Sequence, residues 1–288
     1  MRKLSLRKAN SLQLGERLSL GINSVNLSLF RIILLLDCCV LIWAGSASAQ
    51  LNYDGAVAIW LLDEGRGVDV EDFSGNDNGG AFGQGHPKWV DGKFGKALEF
   101  DQQSWVTMNN PVVTAKDMVD FSMGCWANPE DSQKTWTNIL SSHQEPPRRG
   151  MSFEMFEDQT NFYGIAFGDG DNWVGGGWAQ LKAGVWNHMA FVRKGKIGTW
   201  YLNGEQSMEV KLSSDKPVAA ATSNFRIGNF VLGTREFNGK VDESFIFSRA
   251  LEAEEIGSIF KRGFENAQAV GSQGKAATTW GKVKSWHR

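Results

Sequence analysis

The sequence predicts an all-β domain, a sandwich or a barrel, with a single short helix near its C-terminal end. Three observations lead there. Short apolar or alternating runs recur every 8 to 15 positions between Tyr53 and Phe247. The 288 residues include 33 Gly and 12 Trp but only 6 Pro, a glycine-punctuated, aromatic-rich composition suited to many strands and tight turns. A helical period occurs once, around Leu251, Ile256, Ile259 and Phe260.

Taken in order, the first stretch reads as an export leader. Arg2, Lys3, Arg7, Lys8 and Arg17 precede an apolar run from Ile32 to Trp43, and Ala47-Ser48-Ala49 offers the small residues of a cleavage site. The run is short for a membrane span, which needs about 20 apolar residues. A lipoprotein site at Leu35-Leu36-Asp37-Cys38 is disfavoured, because Asp37 stands where a small residue is wanted. Cleavage after Ala49 takes six basic and two acidic residues from totals of 30 and 32, leaving 24 against 30. A mildly acidic mature chain has no electrostatic footprint for nucleic acid. It keeps only Cys125, so a large core has to hold the fold without an intrachain disulfide. The expected home is the periplasm, the cell surface or the medium.

The expected domain covers residues 50–266. Its strands are Ala56 to Leu62, Ala97 to Phe100, Trp105 to Met108, Phe121 to Ala127, Ile139 to Ser142, Ser152 to Phe156, Phe162 to Phe167, Trp186 to Val192, Gly198 to Leu202, Phe225 to Ile227 and Val241 to Phe247. Arg193-Lys194-Gly195-Lys196 links two of them as a hairpin, and Asn203-Gly204 is the strongest two-residue turn signal in the chain. Glu252, Glu254 and Glu255 at the start of the helix and Lys261, Arg262 and Gly263 at its end suit the helix dipole and a left-handed cap. Residues 267–288, with Lys282, Lys284 and Arg288, are expected to form a flexible basic tail.

Several motifs, in order, resemble the laminin-G-like jelly-roll domains of the concanavalin A-like lectin/glucanase superfamily. They are Trp60-Leu61-Leu62-Asp63-Glu64-Gly65, Asp72-Phe73-Ser74-Gly75-Asn76, Gly92 through Asp101, Phe121-Ser122-Met123 with Trp126, Trp186 through Ala190, Tyr201-Leu202-Asn203-Gly204, Arg226-Ile227-Gly228, and Gly239 through Glu243 leading into Ser248-Arg249-Ala250-Leu251. Leu62 and Ser244 depart from the family pattern. The resemblance implies a two-sheet antiparallel jelly-roll sandwich. It also implies a structural calcium ion, with Asp72 and Asp242 matching the family's carboxylates and turn oxygens around Asn76 and Asn78. Calcium takes six to eight hard oxygens, which a glycine-rich turn beside carboxylates can supply; the same Asp and Asn residues also simply favour turns.

A fold of this kind hosts many functions, so the site has to be argued from residues. Asp169, Asp171 and Asn172 lead directly into Trp173 and Trp178, which combines hydroxyl acceptors with rings on which sugar C–H faces stack. Trp136, in a polar loop, is the other ligand candidate. The competing reading makes Trp173 and Trp178 core residues and the acids a solvated turn. Trp60, Trp126, Trp186 and Trp200 fall in strands and are expected in the core, Cys125 behaves as a buried hydrophobe, and His188 as a hydrogen-bonded interior histidine. His86, His143 and Pro146-Pro147-Arg148-Arg149 read as exposed loop.

Catalysis is the weaker expectation. Glycoside hydrolysis needs two carboxylates about 5 to 9.5 Å apart. Glu154 and Glu157 point to opposite faces of a strand, and Glu154 and Asp158 are about 13 Å apart. Asp69 and Glu71 have suitable spacing but sit in an expected loop. Neither His-Glu-x-x-His nor Gly-x-Ser-x-Gly occurs. The sequence therefore favours a non-catalytic glycan-recognition module. A protein-binding or adhesion module and a polysaccharide hydrolase or lyase with dispersed residues are the alternatives.

Overall fold

In the computed structural model of the chain, residues 51–112, 118–156 and 160–267 are described; the expected export leader, and the expected basic tail apart from Ala267, lie outside them. The strands are β1 (Ala56–Trp60), β2 (Asp69–Val70), β3 (Gly80–Phe82), β4 (Lys88–Asp91), β5 (Lys96–Asp101), β6 (Val106–Met108), β7 (Phe121–Pro129), β8 (Asn138–Ser141), β9 (Met151–Met155), β10 (Phe162–Gly168), β11 (Trp173–Gln180), β12 (Asn187–Lys194), β13 (Ile197–Leu202), β14 (Glu205–Lys211), β15 (Arg226–Ile227) and β16 (Asn238–Phe247), followed by α1 (Ala253–Ala267). All pairings between them are antiparallel.

Two sheets result, as a sandwich requires. The first runs β14-β13-β12-β7-β16-β5-β4, with β1 also on β16; the second runs β11-β10-β9-β8-β15-β6-β3-β2. Strand β16 serves two neighbours along one edge, because Asn238 to Val241 pair with β5 and Ser244 to Phe247 with β1. Alternation sends Phe121, Met123, Cys125 and Ala127 of β7 into the core between the sheets, where they meet Phe153, Ile165, Phe167 and Trp200. The other face of the first sheet is covered too. Ile59, Ala190, Val192, Phe245 and Phe247 pack there against Ile256, Ile259 and Phe264 of α1. Three layers explain why β7 and β12 are buried along nearly their whole length.

Trp60, Trp126 and Trp200 are buried as expected, while Trp186 is half-buried just before β12. Asn203 and Gly204 both take positive φ, 52° and 81°, as the two-residue turn demands. A Cβ on Gly204 would lie 2.7 Å from the Phe260 ring, so the turn can rest on α1 only with glycine. Gly263 (φ 68°) interrupts α1 where the cap was expected, but the chain resumes helical turns to Ala267. His188 corrects its expectation: it is fully buried, and neither ring nitrogen has a hydrogen-bond partner. Its ring instead lies among Trp126, Phe245 and Phe260 at centroid distances of 5.3, 6.3 and 6.0 Å.

Candidate functional site

The four residues expected around a metal ion fall into two groups. The Asp72 carboxylate accepts hydrogen bonds from the Ile59, Ser74 and Asn78 amides at 3.1, 2.9 and 3.0 Å. Asn76 and Asn78 donate their side-chain N–H groups to the Ala56 and Val57 carbonyls, each at 2.8 Å. This turn is thus stitched to β1. Asp242 belongs elsewhere. Its Oδ2 accepts from the Lys93 and Phe94 amides at 2.8 and 3.0 Å, while Oδ1 is buried without a partner. Asp63, which accepts from the Lys96 amide, braces the other end of the same turn. Burial, with the Asp63 charge adding to it, pushes the Asp242 carboxyl up to about 8; burial and then the Asp242 charge push Glu243 up to about 9. Among the described residues no three His, Cys, Asp or Glu side chains converge as a metal cage.

The expected acidic loop closes a hairpin. Asp169 Oδ1 accepts from the Asp171 and Asn172 amides at 3.0 and 2.7 Å, and Asp171 pairs with Lys216 at 2.6 Å. Trp173 through Gln180, expected to continue that loop, instead form the edge strand β11. Val174 and Ala179 of β11 enter the core. Trp173 and Trp178 therefore lie on the outer face of the second sheet, with Trp178 44% exposed. The pair is not core.

That outer face is organised in rows. Tyr163, Ile165 and Phe167 of β10 point inward, as do Met151, Phe153 and Met155 of β9, so Gly164, Ala166, Ser152 and Glu154 point out. Strand pairing aligns Asn138, Glu154, Gly164 and Trp178 in one row across β8 to β11, and Ser152, Ala166 and Gly175 in the next. Loops add aromatic walls. His143 corrects its expectation as exposed loop: it is only 7% exposed, with its ring centroid 3.7 Å from Trp173 and 4.9 Å from Phe230. The Arg235 guanidinium lies 4.4 Å from the Phe230 centroid and 5.7 Å from that of Trp136. Trp136 is held at φ 60°, a conformation costly for an aromatic residue, as happens where a side chain must be aimed.

Glu154 sits at the centre. One carboxylate oxygen lies 3.8 Å from His143 Nδ1 and 3.9 Å from Arg235 Nη1, too far for hydrogen bonds. Burial raises its pKa, with Arg235 opposing. Burial pushes the His143 imidazole down to about 4, so it is neutral at physiological pH. Four buried polar atoms on this face have no partner: Asn138 Oδ1, His143 Nδ1, Ser152 Oγ and Glu154 Oε2. Native proteins leave few such groups, and a concentration of them marks a place completed by water or ligand. Glu145 holds the rim, accepting from Trp173 Nε1 at 2.9 Å. The structure thus joins Trp136, Trp173 and Trp178 with His143, Glu154, Phe230 and Arg235, which sequence reasoning missed, and turns Asp169, Asp171 and Asn172 to a different task.

A concavity of about 440 Å³ lies elsewhere, lined by Leu61, Asp63, Glu64, Arg66, Asp69, Glu71, Phe73 and Glu265. It contains the Asp69 and Glu71 carboxylates but no tryptophan. Glu157 and Asp158 lie outside the described residues.

Residues 100–257 match the laminin G-type family model of the concanavalin A-like lectin/glucanases superfamily. No curated protein matches the chain in sequence. Domain 4 of an extracellular arabinanase from Geobacillus stearothermophilus, solved in complex with arabinotriose, is similar in structure. Its TM-score is 0.58 at 22% identity, covering 72% of this chain and 98% of that one. Botulinum neurotoxin type C, in a structure describing cell entry through two ganglioside molecules, gives 0.54 at 14% identity, with 72% and 51% covered. The botulinum neurotoxin DC binding domain in complex with rat synaptotagmin II gives 0.53 at 14%, again with 72% and 51% covered. The match therefore spans about half the length of each toxin chain.

Proposed function

The chain belongs to the laminin G-type family of the concanavalin A-like superfamily, and from that premise we propose that it is an exported, non-catalytic module that binds carbohydrate on the outer face of its second sheet. The observation that carries this reading is the juxtaposition of Trp173 with His143 and Glu154, whose Nδ1 and Oε2 atoms are buried without hydrogen-bond partners. Sugars need both kinds of contact: rings for their C–H faces and fixed acceptors or donors for their hydroxyls. The carbohydrate ligands named for two of the structural neighbours support the class. Export rests on the leader that ends at Ala49.

A glycan array followed by calorimetry tests it. Trp173→Ala and Glu154→Gln are each expected to weaken the glycan bound by wild type about tenfold, near 1.4 kcal/mol, with the fold retained. An array without signal, together with capture of a surface protein, would replace this reading with an adhesion module, which the synaptotagmin complex of one neighbour keeps in view. Reducing ends released from polysaccharide would replace it with a hydrolase.

The same reading keeps a structural calcium ion, placed at the Asp242 end of the expected set, where a buried carboxylate oxygen lacks a partner beside Asp63. Calcium at 100 times its dissociation constant is expected to add about 2.7 kcal/mol to the metal-stripped protein. Asp242→Asn is expected to abolish that gain. No calcium heat and no rise in Tm would remove the ion from the account.

A further inference from the structure

The cavity of about 440 Å³ is lined by five carboxylates, Asp63, Glu64, Asp69, Glu71 and Glu265, and by one cation, Arg66. The turn that Asp63 and Asp242 brace brings Lys93 and Lys96 close to these acids, but both ammonium groups are engaged elsewhere. Lys96 pairs with Asp91 at 2.7 Å, and Lys93 lies 4.6 Å from the Trp126 ring centroid. Glu64 Oε1 accepts from the Glu71 amide at 2.7 Å, while Oε2 is buried without a partner. Leu61 and Phe73, half-buried at the edge of the core under α1, add apolar surface to the same cavity. A cationic occupant that also carries apolar surface therefore suits it. The chain itself supplies one. Glu265 stands two residues before Ala267, the last described residue, and burial of Phe264 and Ala267 fixes the point from which the chain continues. Residues 268–288 contain Lys275, Lys282, Lys284 and Arg288 with Trp280 and Trp286, and no Asp or Glu. The 13 residues from Ala267 to Trp280 have a root-mean-square reach of about 20 Å, enough to return to a cavity that begins at Glu265.

From this geometry we infer that the basic segment 268–288 docks on its own domain, with Lys282 and Lys284 against the Glu64, Asp69 and Glu71 carboxylates and the neighbouring tryptophans against Leu61 and Phe73. The docking is independent of the carbohydrate reading, which concerns the second sheet. Each exposed ion pair is weak by itself. Tethering compensates, because a short linker holds the segment at an effective concentration in the millimolar range, so contacts too weak to join separate molecules suffice within one. Asp69 and Glu71, whose spacing suits a hydrolytic pair, then serve as a docking surface for the chain's own cations.

Zero-length carbodiimide coupling on a mixture of unlabelled and isotope-labelled mature protein tests this, because the reagent joins a lysine amine to a carboxylate only where the two touch. Peptide mass spectrometry is expected to find Lys275, Lys282 or Lys284 joined to Glu64, Asp69 or Glu71, with both halves of each joined pair carrying the same label. Limited trypsin digestion gives a second measurement. Cleavage after Lys282 and Lys284 is expected to be about tenfold faster in Asp69→Asn/Glu71→Gln, and likewise in Glu64→Gln/Glu265→Gln, than in wild type, since proteolysis follows the population of the released segment. Unfolding curves confirm that both variants fold, and Gln at position 64 keeps the acceptor for the Glu71 amide. Joined pairs of mixed label alone would give the cavity to the tail of a second copy and overturn docking within one chain. Absence of any joined pair at the cavity acids, or cleavage rates that neither double substitution changes, overturns the docking itself.

Discussion

Trp200→Ala is expected to lower the unfolding free energy by about 3–5 kcal/mol, the range for deleting a large ring from a packed core. Trp200, on β13 of the first sheet, is fully buried and reaches across the sandwich to Phe153 of the second, with centroids 5.5 Å apart, while packing on Phe191 at 5.1 Å. Its indole N–H also donates to the Gly176 carbonyl at 2.9 Å. That bond falls inside the irregularity of β11, where Gly177 takes φ 65° and a Cβ on it would lie 2.8 Å from the indole. Core and surface are coupled there, since Trp178 follows directly. Trp200→Phe separates the two effects, because it keeps a ring in the core but removes the donor. It is expected to cost about 1–3 kcal/mol, and to weaken glycan binding as Trp178 loses its fixed position. Urea unfolding and calorimetry on both variants check this, and a Trp200→Phe protein with wild-type affinity would show that the Gly176 bond does not set the position of Trp178.

The same strand shows where sequence reasoning reaches and where it stops. Alternation exposes β12 and β13, because their inward residues are large and apolar, and Asn203-Gly204 fixes the turn that follows. Strand β11 carries Gly175, Gly176 and Gly177 in succession, so it lacks the side chains that would register a period and reads as loop. Strand β14 has only Met208 and Val210 among charged and polar residues, as suits an exposed edge. Strands β2, β3 and β4 are two to four residues long and depend on their partners more than on their own sequence.

The site divides in the same way. Trp136, Trp173 and Trp178 are visible as candidates because each stands beside glycine or polar residues outside the alternating apolar runs. His143, Glu154, Phe230 and Arg235 come from separate segments, and only sheet pairing brings them together. One local signal was present: Glu154 interrupts Phe153 and Met155, a carboxylate on a strand whose neighbours are buried. Asp169 and Asp171 hold their own hairpin turn, and sequence alone does not separate that task from sugar binding because turn-forming acids and sugar-binding acids are the same residue types. The buried Arg193 had no sequence signal of this kind; it is held by the Gly195, Ser214 and Lys216 carbonyls and lies over Phe167.

His188 carries the remaining large expectation. Burial among aromatic rings pushes its imidazole down to about 3, against an ordinary value of 6.5. Above pH 6.5 the histidine is neutral both folded and unfolded and has no effect on the pH dependence. As pH falls below 6.5 the unfolded chain takes up a proton that the folded protein refuses, so stability drops by about 1.4 kcal/mol per unit until the folded value is reached. Between pH 6.5 and pH 4.5 this amounts to about 2–3 kcal/mol from one residue. The raised carboxyls of Asp242 and Glu243 act in the opposite sense, adding stability as pH falls through about 9 and 8 toward their unfolded values, so wild type alone does not isolate the histidine. Comparison with His188→Phe does, because the carboxyls are common to both proteins and an apolar ring suits the site between Trp126, Phe245 and Phe260. Urea unfolding at pH 7.5 and pH 4.5 is expected to show the variant gaining that 2–3 kcal/mol relative to wild type on acidification. Parallel losses in the two proteins would mean that the folded protein accepts the proton, and that a polar partner stands beside the ring.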